Sequence, residues 1–168
     1  MFFDDFFLRP QNHQKKEKIM ELSAAYAKKY LEDILSFFGL NTDVTVTAND
    51  EIIELSIPSS NMNGFLIGQR GDTLRALQAL VSGALKNQNY EVSRVSVDVA
   101  DYKKQRAHRV QEQAAEWIAA VKESGEDMHL KPMNAADRRA VHQLASDEGL
   151  LTESVGEGFE RHIVLKKA

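Results

Sequence analysis

Asn63-Gly64-Phe65-Leu66-Ile67-Gly68-Gln69-Arg70-Gly71-Asp72-Thr73-Leu74-Arg75-Ala76-Leu77-Gln78 is the stretch whose reading decides the fold. An apolar run, two glycines three positions apart and an amphipathic run predict a helix, a tight loop and a second helix. Gly68 and Gly71 can take positive φ and let another backbone come close, and Asp72 and Thr73 are suited to capping the following helix. Exposed N–H groups in such a loop, together with the positive end of the second helix, favour an anion. Arg70 adds a mobile charge able to reach a phosphate. A sugar-phosphate backbone is the natural ligand for that combination. Taken alone, Gly-x-x-Gly more often serves as a plain helix connector, so the flanking elements must decide.

Upstream, Ile19, Leu22, Ala25, Tyr26, Tyr30, Ile34, Leu35 and Phe38 recur at three- and four-residue steps, which predicts one helix from Lys15 to Phe38 ended by Gly39. Residues 1–14 mix aromatics, acids and Pro10 without a sustained period and are expected to form a flexible or docking arm. Val44–Thr47 and Ile52–Ile57 are β-branched and alternating, joined by Ala48-Asn49-Asp50-Glu51 as a hairpin, and Pro58 stops the second strand. The opening helix is expected from Ser60 to about Ile67 and the second from Asp72 to about Asn87. Val92–Val99 then alternates as a half-buried strand.

The order helix, strand, strand, helix, loop, helix, strand resembles a type II KH domain over residues 15–100, with the glycine loop in its signature place. In such domains the loop backbone clamps about four nucleotides of single strand against an apolar groove. The resemblance implies that Gly68, Gln69, Arg70 and Gly71 touch the RNA backbone, with Arg75 one turn on, and that Ile67 and Leu74 lie near the groove floor.

Asp101 to about Glu123 reads as a linking helix with a basic cluster, Lys103, Lys104, Arg106 and Arg109, in its first half. Such clusters are usually solvated faces, although these cations lie at the end of the helix that its dipole disfavours. Ser124-Gly125 marks the boundary of a last segment that reads strand, helix, strand, strand. Met128–Leu130 is short, Asn134 caps a helix from Ala135 to about Asp147, and Leu150–Val155 and Phe159–Leu165 form a hairpin through Gly156-Glu157-Gly158. Arg138 and His142 are four apart and share a helix face, with Arg139 beside them.

Arg-x-x-x-His alone carries almost no information. Its setting, Pro-Met-Asn before it and a Thr-x-Ser-x-Gly-x-Gly-x-x-Arg hairpin at Thr152–Arg161 after it, resembles the R-three-H domain over residues 125–168. That resemblance implies that Arg138, His142 and Arg161 form a polar patch able to hold a phosphate or a base. A KH domain followed by an R-three-H domain is similar to the bacterial Jag family (SpoIIIJ-associated, KhpB/EloR-like). Members commonly carry an N-terminal Jag domain, in whose place only the short arm is expected here. The fold class implied is α+β with two small domains: type II KH (αββααβ), then R-three-H with a helix and a small three-stranded sheet.

Composition bounds the function. The chain has 168 residues, no cysteine, a net charge of −4 and 43% apolar residues. It can bury a core, cannot build disulfides or thiolate metal sites, and lacks the basic coat that binds duplex DNA by charge alone. The acidic N-terminal residues do not read as a secretory signal, and no run is long enough to insert stably in a membrane, so a cytoplasmic location is expected. The histidines at 13, 108, 129, 142 and 162 are scattered, so no metal ligands, catalytic residues or cofactor are expected. His142 beside Arg138 could serve a nuclease as general base, but no partner acid follows from spacing. The glycine loop lacks the Lys-Ser/Thr of a P-loop. The reading reached is a non-enzymatic binder of single-stranded RNA, with single-stranded DNA as a related ligand. The family resemblance implies a bacterial post-transcriptional regulator linked to cell envelope, division or sporulation, acting as a homodimer or with a small KH-protein partner. The alternative is a protein-interaction adaptor with little RNA affinity.

Overall fold

Residues Ile52–Ile57 bury every second side chain, Ile53, Leu55 and Ile57, while Glu54 and Ser56 face water. A strand so patterned must be covered on one face. The computed structural model describes residues 9–49, 51–90 and 94–167 and divides into two units, Met1–Asp101 and Tyr102–Ala168.

In the first unit the elements run α1 (Arg9–Phe37), β1 (Thr45–Ala48), β2 (Ile52–Ile57), α2 (Asn63–Ile67), a 3-10 turn (Gln69–Gly71), α3 (Asp72–Asn87) and β3 (Arg94–Val99). The sheet order is β1-β2-β3, with β1 antiparallel and β3 parallel to β2. The register sets Leu55 beside Val97 and Ile57 beside Val99, so both strands turn their apolar sets toward the helices. Leu31 and Leu35 of α1, Leu66 of α2, and Leu74, Leu77, Val81 and Leu85 of α3 complete this core. Asn49 closes the β1–β2 turn, its Oδ1 accepting from the N–H groups of Glu51 and Ile52 at 2.9 and 3.0 Å.

Two expectations about this unit change. Residues 9–14 of the expected flexible arm are helical and extend α1, while residues 1–8 lie outside the described residues. Pro10 is compatible with that start, because a first-turn residue has no N–H bond to lose. The buried stripe of α1 agrees with the expected one at Leu35 and is otherwise rotated from it. Ser23, Ala24, Ala27, Leu31 and Leu35 are buried, whereas Ile19 and Leu22 are 42% and 52% exposed. Small residues let α1 lie close to its neighbours, and a reading that weighted large side chains passed over them.

In the second unit α4 (Tyr102–Ser124) is followed by β4 (Met128–His129), α5 (Ala135–Asp147), β5 (Leu150–Val155) and β6 (His162–Lys167). The sheet order is β4-β6-β5, antiparallel throughout. Ala114, Ile118 and Val121 of α4 pack with Val141 and Ala145 of α5 and with Leu130, Leu150, Ile163 and Leu165 into one core. Here α4 is not a linking helix: it supplies one wall of this unit. The β5–β6 connection is also longer than the expected glycine turn, because Gly158–Glu160 form a 3-10 turn before β6 begins at His162. Together the units have the α+β architecture expected from the sequence.

Candidate nucleic-acid interface

The glycine loop takes its shape from backbone geometry. Gly68 has φ 70° and ψ −176°, a region essentially restricted to glycine, and Gly71 is left-handed at φ 84°. A Cβ on Gly68 would lie 2.2 Å from Thr73 Oγ1 and 2.9 Å from the Thr73 amide nitrogen, so sterics exclude it a second time. Between them Arg70 is left-handed at φ 55°, which aims its side chain away from the regular helix path. Gln69 is exposed and Arg70 is half-buried.

The helix before the loop starts later than expected, and the helix after it keeps its expected bounds but is capped differently. Residues 60–62 form a turn, in which Asn63 Oδ1 accepts from the Ser60 N–H at 2.8 Å, so α2 begins at Asn63 and not at Ser60. Helix α3 is not capped by Asp72 or Thr73. Gly71 is its N-cap residue, with no side-chain cap, because the 3-10 turn feeds directly into the helix. The Asp72 carboxylate instead accepts from the Arg75 guanidinium, and Thr73 sits over Gly68. Uncapped first-turn amides are the groups that an anion can approach.

Of the other site residues expected here, Ile67 is half-buried and Arg75 is exposed in its pair with Asp72. Leu74 is only 3% exposed, so it anchors α3 in the core and has almost no surface to give a groove floor. Phe65, which sequence reasoning did not single out, is 53% exposed and meets Phe38 edge-on at 5.4 Å between ring centroids. Its place in the quoted apolar run hid it among core residues.

The second unit builds its polar cluster from side chains. Asn134 caps α5 as expected, its Oδ1 accepting from the Asp137 N–H at 2.9 Å. Arg138 Nη1 donates to the Met133 carbonyl at 2.9 Å, and the Met133 N–H donates to the Arg161 carbonyl at 3.2 Å. Arg138 and the start of β6 are therefore held to one turn, and Arg161 and Arg139 are exposed. His142 is directed at β5: Nδ1 bonds Thr152 Oγ1 and Nε2 lies 3.0 Å from Ser154 Oγ. Both ring nitrogens are thus engaged inside the unit. Thr152 and Ser154 were visible in the sequence only as part of the hairpin pattern; two hydroxyls on one strand face opposite an Arg-x-x-x-His helix were the signal.

Behind the cluster, Arg106 donates from Nε to both oxygens of Asp137 at 2.9 Å, and from its other nitrogens to Asp137 and to Tyr102 Oη. Asp137 is 7% exposed. The hydrogen bond that Arg106 donates to the Asp137 carboxylate, above all, pushes the Arg106 pKa up against the opposing effect of burial. One member of the expected basic cluster is therefore an internal tie between α4 and α5. Among the described residues no group of three or more His, Asp or Glu could hold a metal ion, and no helix is long and apolar enough to cross a membrane.

Comparison with known proteins places two family models on the chain. The KhpA/KhpB KH domain matches residues 25–99 and the R-three-H domain matches residues 108–167, which begins inside α4. The chain is 30% identical over 141 residues to a Clostridium symbiosum protein, covering 83% of this chain and 64% of that one. It is 29% identical over 167 residues to a Bacillus subtilis protein, covering 98% and 79%. A Streptococcus pneumoniae relative is 28% identical over 163 residues, 96% of this chain and 48% of its own length. The chain thus spans less than two thirds of the length of the first and third of these relatives. All three are named RNA-binding protein KhpB.

Proposed function

The chain belongs to the KhpB (Jag) family, in which a KhpA/KhpB-type KH domain precedes an R-three-H domain, and on that premise we propose that it binds single-stranded RNA through both domains. The observation that carries the reading is the Gly68–Gly71 loop, whose Gly68 conformation only glycine adopts and whose Gly71 is left-handed, and which opens onto an uncapped helix start. The loop is built for close approach of another backbone, and phosphates are what its amides and Arg70 would meet. Arg138, Arg139 and Arg161 supply the second grip around α5 and the start of β6. Two weak holds on one strand give a combined affinity greater than either, because the first fixes the local concentration of the second. The protein carries out no reaction in this proposal; it acts in the cytoplasm as a post-transcriptional regulator, alone, as a homodimer or with a small KH protein.

Replacing Gln69 and Arg70 by Asp tests the clamp. Gln69 is exposed and Arg70 half-buried outside the apolar core, so a cooperative melt should persist with at most a small shift, while affinity for a short single-stranded RNA in an anisotropy titration should fall about ten-fold or more. Unchanged affinity would remove the loop from the interface. Crosslinking in cells followed by sequencing of attached RNA tests the regulatory role.

One observation favours a second reading, a protein-interaction adaptor with little RNA affinity. Phe37, Phe38 and Phe65 are 87%, 45% and 53% exposed, and Phe38 meets each of the other two edge-on, an apolar cluster of the kind that partners cover. An absence of RNA in the crosslinked material would favour that reading.

A further inference from the structure

Strand β5 alternates Leu150, Thr152 and Ser154 with Leu151, Glu153 and Val155. Leu150 is buried in the core under the helices and Leu151 is 59% exposed, so Thr152 and Ser154 stand on the helix side of the sheet. There the His142 ring lies between the two hydroxyls, with all three side chains half-buried. A neutral imidazole has one N–H and one lone pair. It donates to one hydroxyl and accepts from the other, which ties up that hydroxyl's hydrogen. An imidazolium donates from both nitrogens, and both hydroxyl hydrogens are then free to turn outward. Protonating His142 therefore converts the pair into a two-donor face for an anion.

The charge around the ring suits an anionic ligand. Arg138 lies one turn back on α5 with Arg139 beside it, and Arg161 is tied to the same turn as Arg138. On β5, Glu153 points to the far side of the sheet, where it pairs with Lys166 of β6; His162 of β6 is bonded to His129 of β4. From α4, Lys122 pairs with Glu148 beyond the end of α5, and Arg106 holds Asp137. Both hydrogen bonds of the ring go to hydroxyls and neither to a carboxylate, so the counter-ion of a protonated His142 would come from the ligand.

We propose that Thr152 and Ser154 are the phosphate-facing groups of the second unit and that His142 is a positioning residue behind them, whose protonation is coupled to phosphate binding. The proposal rests on the RNA-binding reading for its ligand. It assigns to two hydroxyls the contact that the Arg-x-x-x-His pattern alone would give to the imidazole.

The test uses the full chain and a labelled single-stranded oligouridylate, titrated at pH 8 and pH 6, values that bracket histidine titration. Binding should tighten about five-fold at pH 6. Thr152→Val with Ser154→Ala should lose most of that gain, and Thr152→Ser, which keeps the hydroxyl, should retain it. The Gln69→Asp, Arg70→Asp variant should bind more weakly yet keep the pH dependence. A Thr152→Val, Ser154→Ala variant with the wild-type pH profile, or one weakened equally at both pH values, would overturn the proposal. If the oligonucleotide does not bind at all, the RNA reading falls, and inorganic phosphate decides the site by NMR. His142 ring signals that move with phosphate in the wild type but not in the hydroxyl variant support it; signals that stay still overturn it.

Discussion

At the glycine loop the backbone makes the site, whereas at α5 and β5 the backbone is regular and the side chains make it. Gly68 and Gly71 hold φ values of 70° and 84°. Arg138 and His142 sit on an ordinary helix, and both are engaged by groups of their own unit. A backbone site is ready before the ligand arrives and fails by becoming strained. A side-chain site is held by its internal bonds and must reorganise some of them to bind, so its ligand contacts can be borne by groups one bond further out. On the proposed reading, the same phosphate chemistry is served by a shape in one unit and by a network in the other.

The sharpest way to break this contrast is to attack the network's support. Arg106→Ala leaves the Asp137 carboxylate buried without its partner, and the second unit should lose about 3 kcal/mol of stability. Trp117, the chain's one tryptophan, packs against that unit's core, so its fluorescence in a urea titration reads the change directly. A loss below about 1 kcal/mol would mean that the tie is worth no more than a surface pair.

Gly68→Ala attacks the shape. The conformation costs a non-glycine residue about 1–3 kcal/mol, and the added methyl must also displace Thr73. RNA affinity should fall with little change in the Trp117 transition. If affinity holds, the loop tolerates another backbone path and the contrast with the second unit weakens.

Acid supplies the smallest effect, and it touches both units. Lys28 lowers the Asp43 pKa in the first unit through a 2.6 Å hydrogen bond, and Lys122 lowers the Glu148 pKa in the second in the same way. A carboxylate whose pKa is lower folded than unfolded stabilises above its unfolded value, about 4, and loses that contribution as pH falls through the folded value. Melting temperatures recorded from pH 6 down to pH 3 should decline more steeply in the wild type than in Asp43→Asn. Because both carboxylates are exposed, parallel curves would show that water already screens these pairs.

How much of this was legible follows from how local each cause is. The bounds of α3 and α5, the Asn134 cap and the alternation of β2 and β5 could be read from neighbouring residues, because period and capping are short-range properties. The phase of α1 could not. Ala24, Ala27 and Ser23 are buried because of what lies against them, and their own chemistry does not announce it. The burial of Leu74 has a related reason: an apolar residue after a glycine loop can line a groove or anchor the helix, and only packing shows that it anchors. Treating α4 as a linker failed because its buried set, Ala114, Ile118 and Val121, is sparse within a mostly polar helix.

From the sequence alone come the order of elements, the two domains and the glycine positions that permit a clamp, since each depends on residues within a few steps of one another. Tertiary structure alone decided the partners. Arg106 meets Asp137 across 31 positions, and His142 meets Thr152 and Ser154 across 10 and 12. Long-range pairings depend on how helices and strands pack, and local patterns can supply the groups but cannot say which will touch.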